Sequence, residues 1–263
     1  MGRSVKPFET FSFVKTSENP QGERDMLDLY CKQTLLLVVE CVLIRGLIMK
    51  IYPSLISADL LNLETVIKNV EGYSDGLHID VMDDHFVPNL TWGPAFISAI
   101  AKKTQLPLDI HLMVDNPGKW VDRISVRPHD IITFHIEAVE KNKVAQLISD
   151  FKNKDCNVGI AVNPKTPINA IFDFIDDLDS VLLMSVEPGC SGQSFIESVV
   201  EKIQPLIDIR TKDQLLFEIC MDGGIGKDNI VMLKEKGVDA VGVASAIFSC
   251  DDYVKALQDL KKC

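Results

Sequence analysis

The chain lacks the features that mark several broad protein classes. Its seven cysteines, at positions 31, 41, 156, 190, 220, 250 and 263, are scattered and include no Cys-x-x-Cys pair. An odd, unpatterned set of thiols argues against a disulfide framework or zinc finger, and for reduced thiols in the cytoplasm. A basic excess is missing as well: 27 Lys and Arg stand against 38 Asp and Glu, a formal net charge of −11. Without a basic run there is no electrostatic footprint for nucleic acid, and any anionic ligand has to be held by local backbone N–H groups. No apolar run is long enough to span a bilayer. The most apolar stretch, 34–49, is interrupted by Glu40 and Arg45; it starts too late for a signal peptide and lacks the small-residue cleavage pattern. Neither nucleic acid nor a membrane is expected as a partner.

What is present reads as an ordinary globule, 46% hydrophobic and 25% charged over 263 residues, enough for one α/β barrel or two small domains. From Ile51 onward β-rich runs alternate with amphipathic ones. The strand-like runs are 51–55, 76–82, 107–113, 130–136, 157–162, 180–186, 215–221 and 238–244, with Cys156 and Cys220 expected as small core residues. Helix-like stretches fall at 60–71, 94–104, 116–125, 141–153, 167–176, 195–210, 227–236 and 251–261. In the seventh, Asp228 or Asn229 can cap the start, Ile230 and Leu233 share a face, and Lys236-Gly237 closes the end. Eight β/α units in about 213 residues fit the lower end of a TIM barrel. A doubly wound open sheet is the alternative, but chemistry spread over strands two, three and seven favours closure. The predicted fold is α/β, a single TIM (β/α)8 barrel over 49–263 with an N-terminal extension over 1–48. That extension holds six basic and six acidic residues, so the acidic excess lies in the barrel. Residues 1–25 are polar and aperiodic and are expected to be poorly ordered. The apolar run 34–49 is expected to pack on the barrel as a helix, or to precede the true start.

Four residues carry the chemistry: His78 and Asp80 in Leu-His-Ile-Asp-Val-Met, His111 in Asp-Ile-His-Leu-Met, and Asp222 in Met-Asp-Gly-Gly. Each lies near the C-terminal end of a predicted strand, the face that carries function in such barrels. His78 and Asp80 are two apart, so both point the same way. Any one of the four alone reads as a buried or rim residue. Together, two imidazoles and two carboxylates make a mixed N/O site for one divalent metal, with Zn, Fe(II), Mn and Co all suited. Divalent metals on barrel rims serve hydrolysis, aldol cleavage and proton abstraction beside a carbonyl. Asp80 and Asp222 come from opposite sides of the ring, which favours the last. Such a pair can remove a proton from one face of a carbon and return one to the other, as an epimerase must. Glycine-bearing turns after strands six, seven and eight (Gly189-Cys190-Ser191-Gly192, Gly223-Gly224 and Ala244-Ser245) occupy the usual phosphate site of the fold. Each can equally be a plain β/α turn. Met82, Met113 and Met184 end strands two, three and six, where methionine is ordinarily core filler.

His-Ile-Asp-Val-Met-Asp-Asp-His-Phe-Val-Pro-Asn-Leu-Thr-Trp-Gly (78–93) closely resembles the signature of the ribulose-phosphate 3-epimerase family. Pro53-Ser54, His111-Leu112-Met113, Val186-Glu187-Pro188-Gly189 with Gly192-Gln193, and Asp222-Gly223-Gly224 are similar to its other blocks, in order, from about Lys50 to the C-terminus. The resemblance implies that His78, Asp80, His111 and Asp222 hold the metal. It also makes Asp80 the proton acceptor, Asp222 the donor, Ser54 and His111 substrate contacts, and the three methionines a polarizable floor under an enediolate. It implies a small phosphorylated ketose as substrate: ribulose 5-phosphate, converted to xylulose 5-phosphate in the pentose phosphate pathway. A homo-oligomer in the cytoplasm is expected. An allulose 6-phosphate epimerase shares every motif and remains open, as does a barrel that has lost catalysis and acts as a binding protein. Three positions depart from the family. Asp84, Ser191 and Ala244 stand where it usually has glycine; Asp84 adds negative charge near the mouth and asks for a strained backbone. His85, His129 and His135 are not ligands in the matched pattern; His129 reads as a loop residue and His135 as structural or supporting.

Because 1–48 supply none of these motifs, a chain beginning at Met49 is expected to fold and to keep essentially full activity. Melting temperature, oligomeric state and turnover of the truncated and full-length proteins decide this, and an insoluble or inactive truncation contradicts it.

Overall fold

A computed structural model describes residues 49–263; the expectations for 1–25 and 34–48, and for Cys31 and Cys41, lie outside the described residues. The strands are β1 (Lys50–Pro53), β2 (Leu77–Met82), β3 (Leu108–Met113), β4 (Ile131–His135), β5 (Asn157–Val162), β6 (Ser180–Met184), β7 (Glu218–Asp222) and β8 (Ala240–Val243). All pair in parallel in the order β1-β8-β7-β6-β5-β4-β3-β2. A single parallel bridge from Ser54 to His78 closes β1 onto β2. The result is the expected barrel, every strand within a few residues of its sequence reading.

Side-chain alternation separates two apolar layers. Outward residues such as Ile79, Ile110, Ile132, Ile160, Val181 and Ile219 share one large core with the helices. Inward residues form a smaller cluster around Tyr52, Ala161, Leu182, Met184 and Cys220. The helices are α1 (Leu63–Val70), α2 (Pro94–Ala101), α3 (Lys141–Lys152), α4 (Ile203–Lys212), α5 (Ile230–Glu235), α6 (Ser245–Phe248) and α7 (Tyr253–Lys261). In α5, Asn229 stands at the N-cap, Ile230 and Leu233 are buried, and Gly237 takes φ 87° just past the end, as the punctuation predicts.

Two helical stretches differ from their sequence reading. The third contracts to a 3₁₀ turn, Pro117–Trp120, where Gly118 weakens the α-helical alternative. The fifth, Ile168–Asp177, is 3₁₀ throughout. It is rich in β-branched, aromatic and Asn/Asp residues, and Ile168, Ile171 and Phe174 fall three apart, the spacing that a 3₁₀ helix stacks on one side. The sixth begins as 3₁₀ (Glu197–Lys202) and becomes α-helical two residues before Pro205, whose missing N–H costs least in a first turn.

Four aspartates finish the N-terminal face with a repeating device that the sequence reading missed. Asp75, Asp130, Asp179 and Asp239 come just before β2, β4, β6 and β8. Each accepts the backbone N–H of a residue at the start of the preceding odd strand: Ile51, Leu108, Val158 and Ile219. Each also meets a cation, from Lys261, Arg127, Lys152 and Arg210. The Asp130 side chain is fully buried, whereas that of Asp179 is 40% exposed. Asp130→Ala is therefore expected to cost about 3–5 kcal/mol, because it strands the backbone N–H groups of Leu108 and Arg127 and leaves the Arg127 guanidinium with carbonyl partners alone. Asp179→Ala should cost only about 1–2 kcal/mol. Denaturant unfolding of both variants measures this, and equal losses contradict it.

Candidate active site

Barrel register brings the chemistry together. Across the β2/β3 ladder, His78 lies beside Asp109, Asp80 beside His111, and Met82 beside Met113. On the far wall Asp222 lies between Met184 of β6 and Gly242 of β8. Gly242 leaves room for it: a Cβ there would sit 2.8 Å from Asp222 Oδ1. Asp80 Oδ1 is 3.2 Å from both His78 Nε2 and His111 Nδ1, and Asp222 Oδ2 is 3.8 Å from His78 Nε2. One ligand atom from each of the four residues lies within 4.8 Å of all the others. At the seam, the buried Ser54 hydroxyl donates to Asp80 Oδ2 at 2.5 Å.

The donor set suits a cation. Asp109 Oδ2 is 2.8 Å from His78 Nδ1 and accepts its proton, which turns Nε2 toward the two cluster carboxylates as a supporting carboxylate does for a metal-bound histidine. Burial disfavours the charged form of His78, yet Asp80, Asp109 and Asp222 together hold its pKa well above the ordinary value. The centre of the cluster therefore draws positive charge, as a proton or as a metal ion. His111, by contrast, is pushed below its ordinary value by burial, with His135 and His78 adding to the effect. It meets the cluster as a neutral imidazole, the form that ligates. Burial opposes ionisation of Asp80, but the charge of His78 and the closeness of both imidazoles, each 3.2 Å from Oδ1, hold it far below the usual carboxylate range. Asp222 goes the other way: burial, with Asp80 and Asp109 adding to it, pushes it up to about 6 against the pull of His78 and His111. Two carboxylates with such opposed environments suit unlike proton-transfer roles.

Above the cluster opens a cavity that reaches solvent. Its lining includes both aspartates, Ser54, the three methionines and all three turns, Gly189 to Gly192, Gly223-Gly224 and Ala244-Ser245. His78 and His111 lie beneath, fully buried. Gly189, Gly192, Gly223 and Gly224 all have positive φ, from 63° to 119°, whereas Ser191 and Ala244 do not; at these two positions a side chain costs the backbone no strain. Asp84 does take the left-handed region, at φ 59°, which an aspartate tolerates better than most residues. Its side chain is exposed and does not line the cavity. His85 and His129 are exposed, while His135 is buried against His111.

A sequence profile of the Ribulose-phosphate 3 epimerase family matches residues 50–248, which include every strand of the barrel. The chain belongs to the ribulose-phosphate 3-epimerase family. The ribulose-phosphate 3-epimerase of Bacillus subtilis is 40% identical over 217 residues, covering 81% of this chain and 98% of its own length. That of Helicobacter pylori is 39% identical, with 81% and 97% covered. The chloroplastic ribulose-5-phosphate-3-epimerase of Arabidopsis thaliana is 38% identical, with 80% and 75% covered. Among solved structures, KGPDC from Streptococcus mutans superposes with a TM-score of 0.62 at 13% identity, covering 81% of this chain and 97% of that one. 3-Hexulose-6-phosphate synthase superposes at 0.59 and 13%, with 81% and 99% covered; at such identities they speak for the barrel alone. No helix among the described residues is long and apolar enough to cross a membrane.

Several supporting residues escaped the sequence reading. Asp109 carried a signal, since it stands two before His111 on an inward face, as His78 does before Asp80. Others carried none: Thr91 donates to the Asp80 carbonyl at 2.6 Å and accepts from Met82 N at 2.9 Å. Ser185 reaches the carbonyls of Asp222 and Gly223 at 2.9 and 2.6 Å and pins that turn.

Stability should report the raised Asp222. Below its ordinary value of 3.8 the side chain is protonated whether folded or unfolded, and the folded state loses stability as pH rises through about 6. Metal-stripped Asp222→Asn escapes that loss. Its melting temperature is expected to match the parent near pH 4 and to exceed it increasingly up to pH 7. A gap that is constant or reversed with pH contradicts the assignment.

Proposed function

We propose that the 49–263 barrel is a divalent-metal-dependent 3-epimerase that interconverts D-ribulose 5-phosphate and D-xylulose 5-phosphate in the cytoplasm, working as a homo-oligomer. The observation that carries the reading is the pair Asp80 and Asp222, on opposite walls of one cavity and joined at its floor by His78 and His111. The named activity of the relatives supports the substrate.

His78, Asp80, His111 and Asp222 are the residues that would hold the ion. When bound, the cation supplies Lewis-acid stabilisation of the negative charge that develops on the ketone oxygen and its neighbouring hydroxyl. The protein's own groups move the protons. Asp80, kept ionised by the histidines and by the Ser54 hydroxyl, takes the proton from C3 on one face and leaves an enediolate. Asp222, which retains a proton more readily, delivers one to the opposite face and inverts the centre. The reverse reaction exchanges the two roles. Met82, Met113 and Met184 give the planar intermediate a polarizable, water-poor surface. Backbone N–H groups of the turns at 189–192, 223–224 and 244–245 receive the phosphate without a lysine or arginine in the lining. The spread of binding energy from a remote phosphate to the reacting carbons is then backbone-borne.

Asp80→Asn and Asp222→Asn are each expected to lower turnover by roughly 10²–10⁴-fold with the barrel intact. Chelator should abolish epimerisation, and Zn²⁺, Fe²⁺, Mn²⁺ or Co²⁺ should restore it. Near-parental rates in both variants refute the two-carboxylate scheme, and full turnover by metal-free protein refutes the metal. Running the same assay on allulose 6-phosphate separates the six-carbon alternative; preference for that sugar replaces the substrate and leaves the chemistry.

A further inference from the structure

Behind His111 runs a chain of polar groups, a second buried ring and then the carboxylate of an exposed residue, that does not line the cavity. His111 Nε2 lies 2.8 Å from His135 Nε2 at the end of β4, and His135 Nδ1 lies 3.3 Å from Glu137 Oε2 in the turn that follows. Both rings are fully buried, with centroids 4.9 Å apart, and Phe86 packs against His135 from the other side at 4.8 Å. Glu137 is anchored in turn. Its Oε1 accepts the N–H of Asn163 at 2.9 Å. Lys202 Nζ holds that same loop by donating to the carbonyls of Asn163 and Thr166, both at 2.8 Å.

With both rings uncharged, the direction of every hydrogen bond in this chain follows from its outer end. An ionised Glu137 carboxylate only accepts, and its hydrogen bonds keep it below the ordinary value despite the opposing effect of burial. The proton of an uncharged His135 therefore sits on Nδ1, leaving a lone pair on Nε2. That lone pair faces His111 Nε2, which must donate. His111 Nδ1 is then bare, and it is the atom aimed at the cluster, 3.2 Å from Asp80 Oδ1. Two acceptors at that distance are attracted to each other only through a cation between them.

We propose that His135 and Glu137 are positioning residues that fix the tautomer and ring orientation of His111, so that its Nδ1 presents a lone pair to a divalent cation. This rests on the reading of the cluster as a metal site. It makes the two imidazoles unequal: His78 is backed directly by the carboxylate of Asp109, and His111 by a carboxylate one ring further away.

The test is Zn²⁺ affinity by chelator competition on the full chain, in the parent, His135→Leu and His135→Gln. The expected result is one Zn²⁺ per parent chain, an affinity loss of roughly 10–100-fold in His135→Leu, and recovery to within a few-fold in His135→Gln, whose side-chain carbonyl accepts from His111 Nε2. Unchanged affinity in folded His135→Leu overturns the positioning role and leaves the metal site standing. A parent chain that takes up no Zn²⁺ overturns the metal reading and this inference with it. If His135→Leu does not fold, long-range ¹H–¹⁵N spectra of the parent decide. The proton must be on Nδ1 of His135 and on Nε2 of His111, and the reverse on either ring overturns the proposal.

Discussion

Two carboxylates and two imidazoles share a small space at the place where the barrel closes, and the residues that join β1 to β2 are arranged around that crowding. The joint between β1 and β2 is one bridge, Ser54 to His78, and the next inward residue, Asp80, takes the Ser54 hydroxyl on one oxygen and both imidazoles on the other. Isolated buried carboxylates are costly unless paired. Here the pairing groups are supplied by neighbouring strands at fixed register, so closing the barrel and building the site are one event. Asp222, reached from the opposite wall and given space by Gly242, completes the set without a side-chain hydrogen-bond donor among the described residues. That difference in neighbours separates the two aspartates, one kept ionised and the other pushed up to about 6.

The two ends of the barrel use carboxylates for opposite purposes. At the N-terminal face, Asp75, Asp130, Asp179 and Asp239 are matched with cations and strand N–H groups and serve stability. At the C-terminal face, Asp80 and Asp222 have no lysine or arginine partner among the described residues and remain available for chemistry. An overall charge of −11 disfavours an anionic ligand at long range. In the proposed reading the turns that line the cavity answer this locally, with backbone N–H groups at short range in a site where distant surface charge is screened.

What the sequence disclosed depended on range. Strand alternation sets His78, Asp80 and His111 on an inward face, and glycines at 189, 192, 223 and 224 flag turns that do need positive φ. Cross-strand neighbours are different in kind. That Thr91 would fasten the Asp80 carbonyl, or Ser185 the Asp222 turn, depends on how loops fold back, and no local pattern encodes it. His135 was legible as a buried strand end but not as the neighbour of His111, because the β3/β4 register has to be known first. Helix type was lost for another reason: Ile168–Asp177 has the apolar spacing of an amphipathic segment, and weak α propensity decides in favour of 3₁₀. Asp84 shows the converse. Its departure from glycine pointed correctly to an unusual backbone, and its distance from the cavity could be learned only from the fold.

In the proposed reaction two carboxylates act on opposite faces of one carbon, each exchanging its proton with solvent rather than passing it across the cavity. Epimerisation of ribulose 5-phosphate in D₂O, followed by NMR of the xylulose 5-phosphate formed at early conversion, tests this directly. The account predicts deuterium at C3 of essentially every product molecule, with the substrate's own hydrogen lost to solvent. Product that keeps the original hydrogen at C3 would mean that one group carries the same proton between faces, and would contradict the paired roles of Asp80 and Asp222.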